Sequence, residues 1–133
     1  MNTKIFISLP VADLPRSLAF WQALGYALNP HFSDESCACF IISEEILMMV
    51  ATHAKFRALS PNPVCDTTKF NEVLFCLCCD TRQKVDDLVA KAVAAGGKTF
   101  EEAQDHGFMY SHSFIDPDGH GWGLACMTAM PPK

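Results

Sequence analysis

Three histidines and three aspartates lie close together near the C-terminal end of the chain, and their side chains could bind metals or transfer protons. Asp116 and Asp118 belong to a turn, however, and His112 and His120 have the strand parity of large apolar residues. The cluster is therefore predicted to be structural or exposed, and no metal site is expected there. Its members are His106, His112, His120, Asp105, Asp116 and Asp118.

The candidates for acid–base catalysis are Glu72, Tyr110 and His112. Glu72 opens a predicted strand, where it would bind a cation or act as a base if its side chain faced a cavity; a solvated position is the alternative. His112 would face such a cavity beside Tyr110 only if the hairpin at 108–126 were closed by a two-residue loop.

The seven cysteines have the pattern of core residues and not of a zinc site. Cys76-Leu77-Cys78-Cys79 brings three thiols together, but zinc sites space their cysteines by about two to four residues across a turn and need a second pair. An odd number of cysteines in a reducing compartment predicts free thiols that behave as small buried hydrophobes.

Composition excludes several classes of protein. The chain has 133 residues, 50% of them apolar, and a formal net charge of −5, which favours one globular domain and argues against nucleic-acid binding. No apolar run approaches the ~20 residues of a membrane span. Asp13 comes too early in the chain for the apolar region of a signal peptide. We therefore expect a cytoplasmic protein that binds neither membrane nor nucleic acid.

Each half of the chain has the pattern of a strand, a capped helix, a glycine stop and further strands. In the first half Asp13 is the predicted N-cap and Gly25 ends the helix. In the second half the cap is Asp80 or Thr81 and the stop is Gly96-Gly97. The predicted strands are 4–9, 36–43, 45–51, 72–78 and 98–101, with a hairpin at 108–126 and a loop at 53–69 that contains a short helical turn at 53–59.

This repetition predicts an α+β fold of two βαβββ modules in one chain. The modules are expected to form a cup-shaped, barrel-like mixed sheet with the helices on its convex side. We expect a single domain, 1–133, with module one at about 1–58, a linker at about 59–70 and module two at about 71–130.

The segment IDPDGHGWGLAC, residues 115–126, predicts a hairpin with one bare face. Asp116-Pro117-Asp118-Gly119 is typical of a type I turn followed by a left-handed glycine, a three-residue loop that places residue 113 opposite Gly123. A two-residue loop would instead place His112 opposite Gly123. In the first register the bare face carries Ser111, Ser113, Gly121, Gly123 and Ala125, and the other face carries Tyr110, His112, Phe114, Trp122 and Leu124.

The bare face is predicted to line a cavity in the cup, together with residues of matching parity from other strands. Apolar walls with a few serine hydroxyls suit an apolar or aromatic small molecule. A cup filled by its own side chains is the alternative. The predicted ligand-binding residues are Phe6, Ser8, Cys39, Met48, Leu74, Cys76, Ser111, Ser113 and Gly123.

Two motifs resemble the vicinal oxygen chelate superfamily, which includes glyoxalase I, the fosfomycin and bleomycin resistance proteins and the extradiol dioxygenases. They are residues 11–21 (VADLPRSLAFW) followed by Leu24-Gly25, and Asp116-Pro117-Asp118-Gly119 followed by an alternating strand. The duplicated layout spans the whole chain. The resemblance implies a homodimer and, in metal-dependent members, four inward-facing ligands for a divalent ion.

In this sequence the resemblance places those ligand positions at Phe6, about Met48, Leu74 and Gly123, with Glu72 in place of Leu74 if the register slips by one pair. Phe, Met, Leu and Gly supply no ligand for a hard cation. The sequence therefore predicts a metal-independent small-molecule binding protein without a cofactor, similar to the drug-sequestering resistance proteins. The alternatives are a glyoxalase-like lyase or isomerase, and a structural or partner-binding module with a filled cup.

Overall fold

A computed structural model describes residues 3–133 as an α+β protein with two four-stranded mixed sheets. Each sheet lies in one of two compact units, Met1–Asp66 and Thr67–Lys133. Each unit contains a βαβββ arrangement, so the predicted fold class and the two modules are confirmed. Whether the two units act as a single domain stays a prediction.

The first unit has the strand order β1-β4-β3-β2, in which β1 lies parallel to β4 and the other neighbours are antiparallel. Its elements are β1 (Ile5–Val11), α1 (Leu14–Ala23), β2 (Ala27–Asn29), a 3-10 helix (Pro30–Phe32), β3 (Cys37–Ile41), β4 (Ile46–Thr52) and α2 (His53–Leu59).

The second unit repeats this order as β5-β8-β7-β6, and β5 lies parallel to β8. The repetition of one strand order in both halves confirms that the chain is built from two similar modules. The elements of the second unit are β5 (Leu74–Cys78), α3 (Arg82–Ala94), β6 (Gln104–Asp105), β7 (Met109–Ile115) and β8 (Gly121–Met127).

Helix α1 begins and ends where its sequence predicts. The carboxylate of Asp13 accepts a hydrogen bond from the backbone N–H of Arg16 at 3.1 Å, and Pro15 occupies the first turn, where no amide donor is needed. Gly25 follows the helix with a φ of +98°, which only glycine adopts without strain. The buried side of the helix packs on β3 and β4.

Replacing Asp13 with Ala is expected to lower the free energy of unfolding by about 1 kcal/mol, because the N–H of Arg16 loses its acceptor. Asp13→Asn is the matched control, since its side-chain oxygen can accept the same bond. Urea denaturation followed by circular dichroism measures both. Equal losses in the two variants would contradict the capping role.

The register of the first sheet separates two neighbouring methionines. Met49 pairs with Ser8 and Cys39, whereas Met48 pairs with Phe40 and is fully buried. The prediction that Met48 shares a face with Phe6 and Ser8 is therefore wrong, and Met49 takes that position. Both neighbours in this strand are apolar, so alternation in the sequence could not decide which of them faces the core.

The remainder of the first unit differs from the prediction at residues 27–29 and 53–59. Residues 53–59, predicted as a short helical turn in a loop, form α2, and its N-cap Thr52 accepts a bond from the N–H of Lys55 at 3.2 Å. Strand β2, Ala27–Asn29, was not predicted. Its three residues are too few for a periodic signal, and pairing with β3 defines it.

Helix α3 is capped by Thr81 and not by Asp80. The hydroxyl of Thr81 accepts a hydrogen bond from the N–H of Lys84 at 3.1 Å. The buried side of α3 consists of Val85, Leu88, Val89 and Ala92, whereas Val93 is 46% exposed. Gly96, with a φ of +108°, ends the helix as predicted.

Residues 98–101 do not form the predicted strand. Only Lys98 forms a bridge, with Ile115 of β7, and regular pairing on this edge is confined to β6. A side-chain hydrogen bond takes the place of regular backbone pairing here, since the Thr99 hydroxyl donates to the carbonyl of Ser113 at 2.9 Å. The segment is thus attached to β7 without being a strand.

The hairpin of β7 and β8 has the predicted three-residue loop. The N–H of Asp116 donates to the carbonyl of His120 at 3.0 Å, Gly119 has a φ of +91°, and Ser113 pairs with Gly123. His112 pairs with Leu124, so the alternative register with His112 opposite Gly123 is wrong. The turn residues settled the register because a left-handed glycine is needed only in the longer loop.

All seven cysteines are free thiols, as predicted. The prediction that all seven are core residues is wrong. Cys37, Cys39 and Cys126 are buried, whereas Cys79 is partly exposed and Cys65, Cys76 and Cys78 are exposed. None of the helices between residues 3 and 133 has the length and apolar character that a membrane-spanning segment needs.

Candidate functional site

One face of the second sheet carries large packed side chains. The Phe75 ring stacks on Trp122 with centroids 4.6 Å apart, and Phe114 stacks on the same indole at 6.4 Å. Phe114, Trp122 and Leu124 are at most 2% exposed. These aromatic contacts hold β5, β7 and β8 together from one side.

The opposite face, called here the small-residue face, carries only small side chains at the middle positions of β7 and β8, with Met109, Ile115 and Met127 at the strand ends. Registered pairing places its residues side by side, because Cys76 lies next to Gly123, which pairs in turn with Ser113. Leu74 stands at its edge with 75% of its surface exposed. The face consists of Leu74, Cys76, Cys78, Ser111, Ser113, Gly121, Gly123 and Ala125.

The two glycines of this face differ in what surrounds them. A Cβ at Gly121 would come within 2.9 Å of the Leu74 side chain, so the glycine makes room for that leucine. A Cβ at Gly123 would meet its nearest neighbour, the carbonyl oxygen of Phe75, at 3.4 Å, which is an ordinary contact. Packing within the sheet therefore does not require glycine at 123, and its effect is to leave the centre of the face open.

The Cys76 side chain is a neutral thiol, which makes this face less polar than a thiolate would. Partial desolvation by the surrounding protein raises the pKa of Cys76 although the residue is exposed, and the neighbouring thiol of Cys78 raises it further. A thiol with a raised pKa stays protonated at neutral pH and is a poor nucleophile. The surface offers apolar contact and serine hydroxyls, which suits binding better than covalent chemistry.

Glu101 is a polar residue of the site that the sequence did not reveal. The hydroxyl of Ser113 donates to the carboxylate of Glu101 at 3.2 Å, so the segment after α3 brings an acidic group to the edge of the small-residue face. The sequence gave no signal for this contact, because residues 99–101 run beside β7 without regular pairing.

The candidates in the first unit form a separate group. Register places Ser8, Cys39 and Met49 side by side on one face. Phe6 shares this face, is 45% exposed, and meets the ring of Phe32 edge-on at 5.4 Å. Burial raises the pKa of Cys39, so this thiol also stays neutral.

The three acid–base candidates are not brought together. Tyr110 and His112 lie on the face opposite to Gly123, as the predicted register requires. The Tyr110 hydroxyl donates to Asp86 at 2.6 Å, and this hydrogen bond raises the pKa of Tyr110. His112 contacts the carbonyl of Glu101 at 2.9 Å. Glu72 is exposed and precedes β5 instead of opening it.

Tyr110 belongs to a structural contact between β7, α3 and β6. The Arg82 guanidinium lies 4.9 Å from the centre of the Tyr110 ring and forms an ion pair with Asp105 at 2.8 Å. The Gly107 N–H and Arg82 lower the pKa of Asp105. Every polar group of this cluster is used within the fold, which favours a structural role for Tyr110.

Comparison with known proteins agrees with this geometry. Residues 3–43 match the family model described as bleomycin resistance protein-like N-terminal. A structure of a hypothetical protein from S. aureus is 28% identical, with a TM-score of 0.78 and 95% of each chain covered. These matches show a similarity to the bleomycin resistance proteins over residues 3–43 and a shared fold over most of the chain. No curated protein sequence matches it significantly.

Two further structures share the fold of this chain. A glyoxalase-related enzyme from Fulvimarina pelagi is 19% identical, with a TM-score of 0.80, 100% of this chain and 94% of that chain covered. The bleomycin resistance determinant encoded on the transposon Tn5 is 16% identical, with a TM-score of 0.61 and coverage of 96% and 100%. At such identities the similarity concerns the fold alone.

The metal positions implied by the resemblance to the vicinal oxygen chelate superfamily do not fit an ion in this chain. The positions fall on Phe6, Leu74, Gly123 and a methionine of β4, none of which carries a ligand for a hard cation. Across residues 3–133, no group of three or more His, Cys, Asp or Glu side chains is arranged to hold a metal. The donor set therefore supports no step through a metal.

Proposed function

We propose that this protein is a metal-independent small-molecule binding protein of the glyoxalase/bleomycin-resistance type. Its ligand is an apolar or aromatic molecule that contacts the small-residue face. The observation that carries the proposal is the open centre at Gly123, beside serine hydroxyls and a leucine that is 75% exposed. A flat molecule can lie on such a surface, and the contact removes apolar area of both the molecule and the protein from water.

The chemistry of the face supports binding without catalysis. The thiol of Cys76 is neutral, and two of the three acid–base candidates, Tyr110 and His112, lie on the opposite side of the sheet. Glu101 reaches its edge but is engaged by Ser113. This arrangement gives the lyase alternative no pair of groups that could exchange a proton with a ligand.

The exposed face of the first unit supports the same kind of ligand. Phe6 offers an aromatic surface, and Ser8 and Met49 add one hydroxyl and one flexible apolar side chain. The proposed ligand-binding residues of the first unit are therefore Phe6 and Ser8, with Met49 in place of Met48, whereas Cys39 is fully buried on this face and is removed from the set. The homodimer and the cytoplasmic location stay predictions.

Wild-type protein is expected to bind 1-aminoanthracene, a flat neutral fluorescent probe, saturably and equally well with and without EDTA. Gly123→Leu is expected to raise its dissociation constant at least about tenfold, because a leucine would occupy the open centre of the face. Fluorescence titration measures both, and metal-free bleomycin is tested as a competitor.

His112→Leu is the matched control, since it introduces the same leucine side chain on the opposite face of the sheet. It should leave the dissociation constant within about twofold of the wild-type value. Two results would overturn the proposal: no saturable binding by the wild type, or an equal loss in both leucine variants. Binding that appears only after addition of nickel, zinc, manganese or iron would refute metal independence.

A further inference from the structure

The second unit contains a pocket of about 420 Å³ at the turn end of the β7–β8 hairpin, and none of the residues proposed to bind the apolar ligand lines it. Its volume falls within the range of small-molecule sites, roughly 300–1,000 Å³. Lys69, Asn71 and Lys98 contribute side chains with N–H donors, and Ile115 and Pro117 contribute apolar wall.

Donors exceed acceptors in this pocket. Within residues 3–133, neither Lys69 nor Lys98 pairs with a carboxylate, and the carboxamide of Asn71 makes no hydrogen bond. The backbone of Lys98 is fixed, since it exchanges two hydrogen bonds with Ile115, at 3.0 and 2.7 Å. Two positive charges and an amide therefore border one concave surface without a protein partner.

The carboxylate in the wall is already occupied. The carboxylate of Asp116 accepts N–H bonds from Asp118 and His120, both at 3.0 Å, and from the Trp122 indole at 3.1 Å. This carboxylate has little capacity left for a cation, so the two lysines supply the charge that the pocket offers to a ligand.

We propose that this pocket binds a phosphate monoester of a small organic molecule, with the phosphate held by Lys69, Lys98 and Asn71. A phosphate group carries a charge of about −1.5 to −2 at neutral pH and accepts hydrogen bonds on three oxygens, which matches two ammonium groups and one amide. The organic part packs on Ile115 and Pro117. The pocket is larger than an inorganic ion needs, which favours an esterified phosphate.

Titration calorimetry of the full chain with phenyl phosphate tests this site. The expected result is one saturable site, with phenol undetectable and inorganic phosphate weaker than phenyl phosphate. Lys69→Gln and Lys98→Gln are each expected to raise the dissociation constant by about tenfold, since each removes a charge-assisted bond, and the double variant should abolish binding.

Lys91→Gln is the matched control, because Lys91 is exposed on α3 and does not line the pocket. It should bind phenyl phosphate as the wild type does. Absence of saturable binding, or equal losses in Lys91→Gln and Lys98→Gln, would overturn the proposal. The double lysine variant should still bind 1-aminoanthracene normally, so failure of this site and failure of the apolar site are distinguishable.

Discussion

Gly119→Ala is expected to lower the free energy of unfolding by more than about 3 kcal/mol, the largest effect of any alanine substitution at a glycine of this chain. Two causes add together. The φ of +91° costs a residue with a Cβ about 1–2 kcal/mol. The new Cβ would also overlap the backbone carbonyl group of Thr67, which cannot rotate away as a side chain would.

The close approach is fixed by a hydrogen bond across the turn. The Thr67 hydroxyl donates to the carbonyl of Asp118 at 2.5 Å, so relief of the overlap would cost this bond as well. Strain at Gly119 should therefore separate the segment at 67–68 from the hairpin.

Gly107→Ala is the matched control for this prediction. Gly107 also has a positive φ, +84°, but a Cβ there meets nothing within 4 Å, so only the conformational cost of about 1–2 kcal/mol is expected. Urea denaturation of both variants measures the difference, which isolates the contact with Thr67. Equal destabilisation of the two variants would show that the contact contributes nothing.

Asp116→Ala is expected to destabilise the protein by about 3–5 kcal/mol, because three buried N–H donors would lose their acceptor. Asp116 is only 5% exposed, so water cannot readily replace the lost bonds. Burial raises the pKa of Asp116, so removal of the charge returns part of the cost, and the expected value is less than three full desolvation penalties.

Two further variants separate the causes of that loss. Asp116→Asn keeps one acceptor oxygen but turns an amide donor toward a donor partner, so a loss of about 1–3 kcal/mol is expected. Asp105→Ala is the exposed control: its carboxylate also accepts a backbone N–H, from Gly107 at 2.8 Å, but half of the side chain is solvated. A loss for Asp105→Ala as large as that for Asp116→Ala would refute the role of burial.

The sequence predicts the second unit's hairpin better than the first unit's sheet for a physical reason. In residues 116–119 a proline and a left-handed glycine allow one loop length, and that loop length determines the register of β7 and β8. No turn residue next to β4 determines the register of that strand in this way, and Met48 and Met49 are equally apolar. Their assignment depends on packing against α1, which a local pattern does not contain.

The candidate sites show the same limit. The small-residue face could be predicted because its members alternate along single strands. Glu101 could not, since its contact with Ser113 joins an irregular segment to a strand. The pocket with Lys69 and Lys98 was also missed, because these two lysines are remote in sequence and line one pocket only in the folded unit.

The parallel pairing of the first and last strands in each unit has a consequence for folding. Ile5 pairs with Ile46, and Leu74 pairs with Gly121, so neither sheet can be completed until almost all of its unit has left the ribosome. Contacts of such long sequence separation must overcome a large loop-closure entropy before they stabilise anything. During synthesis each half should therefore remain without its sheet until its final strand emerges, and then fold in one cooperative step.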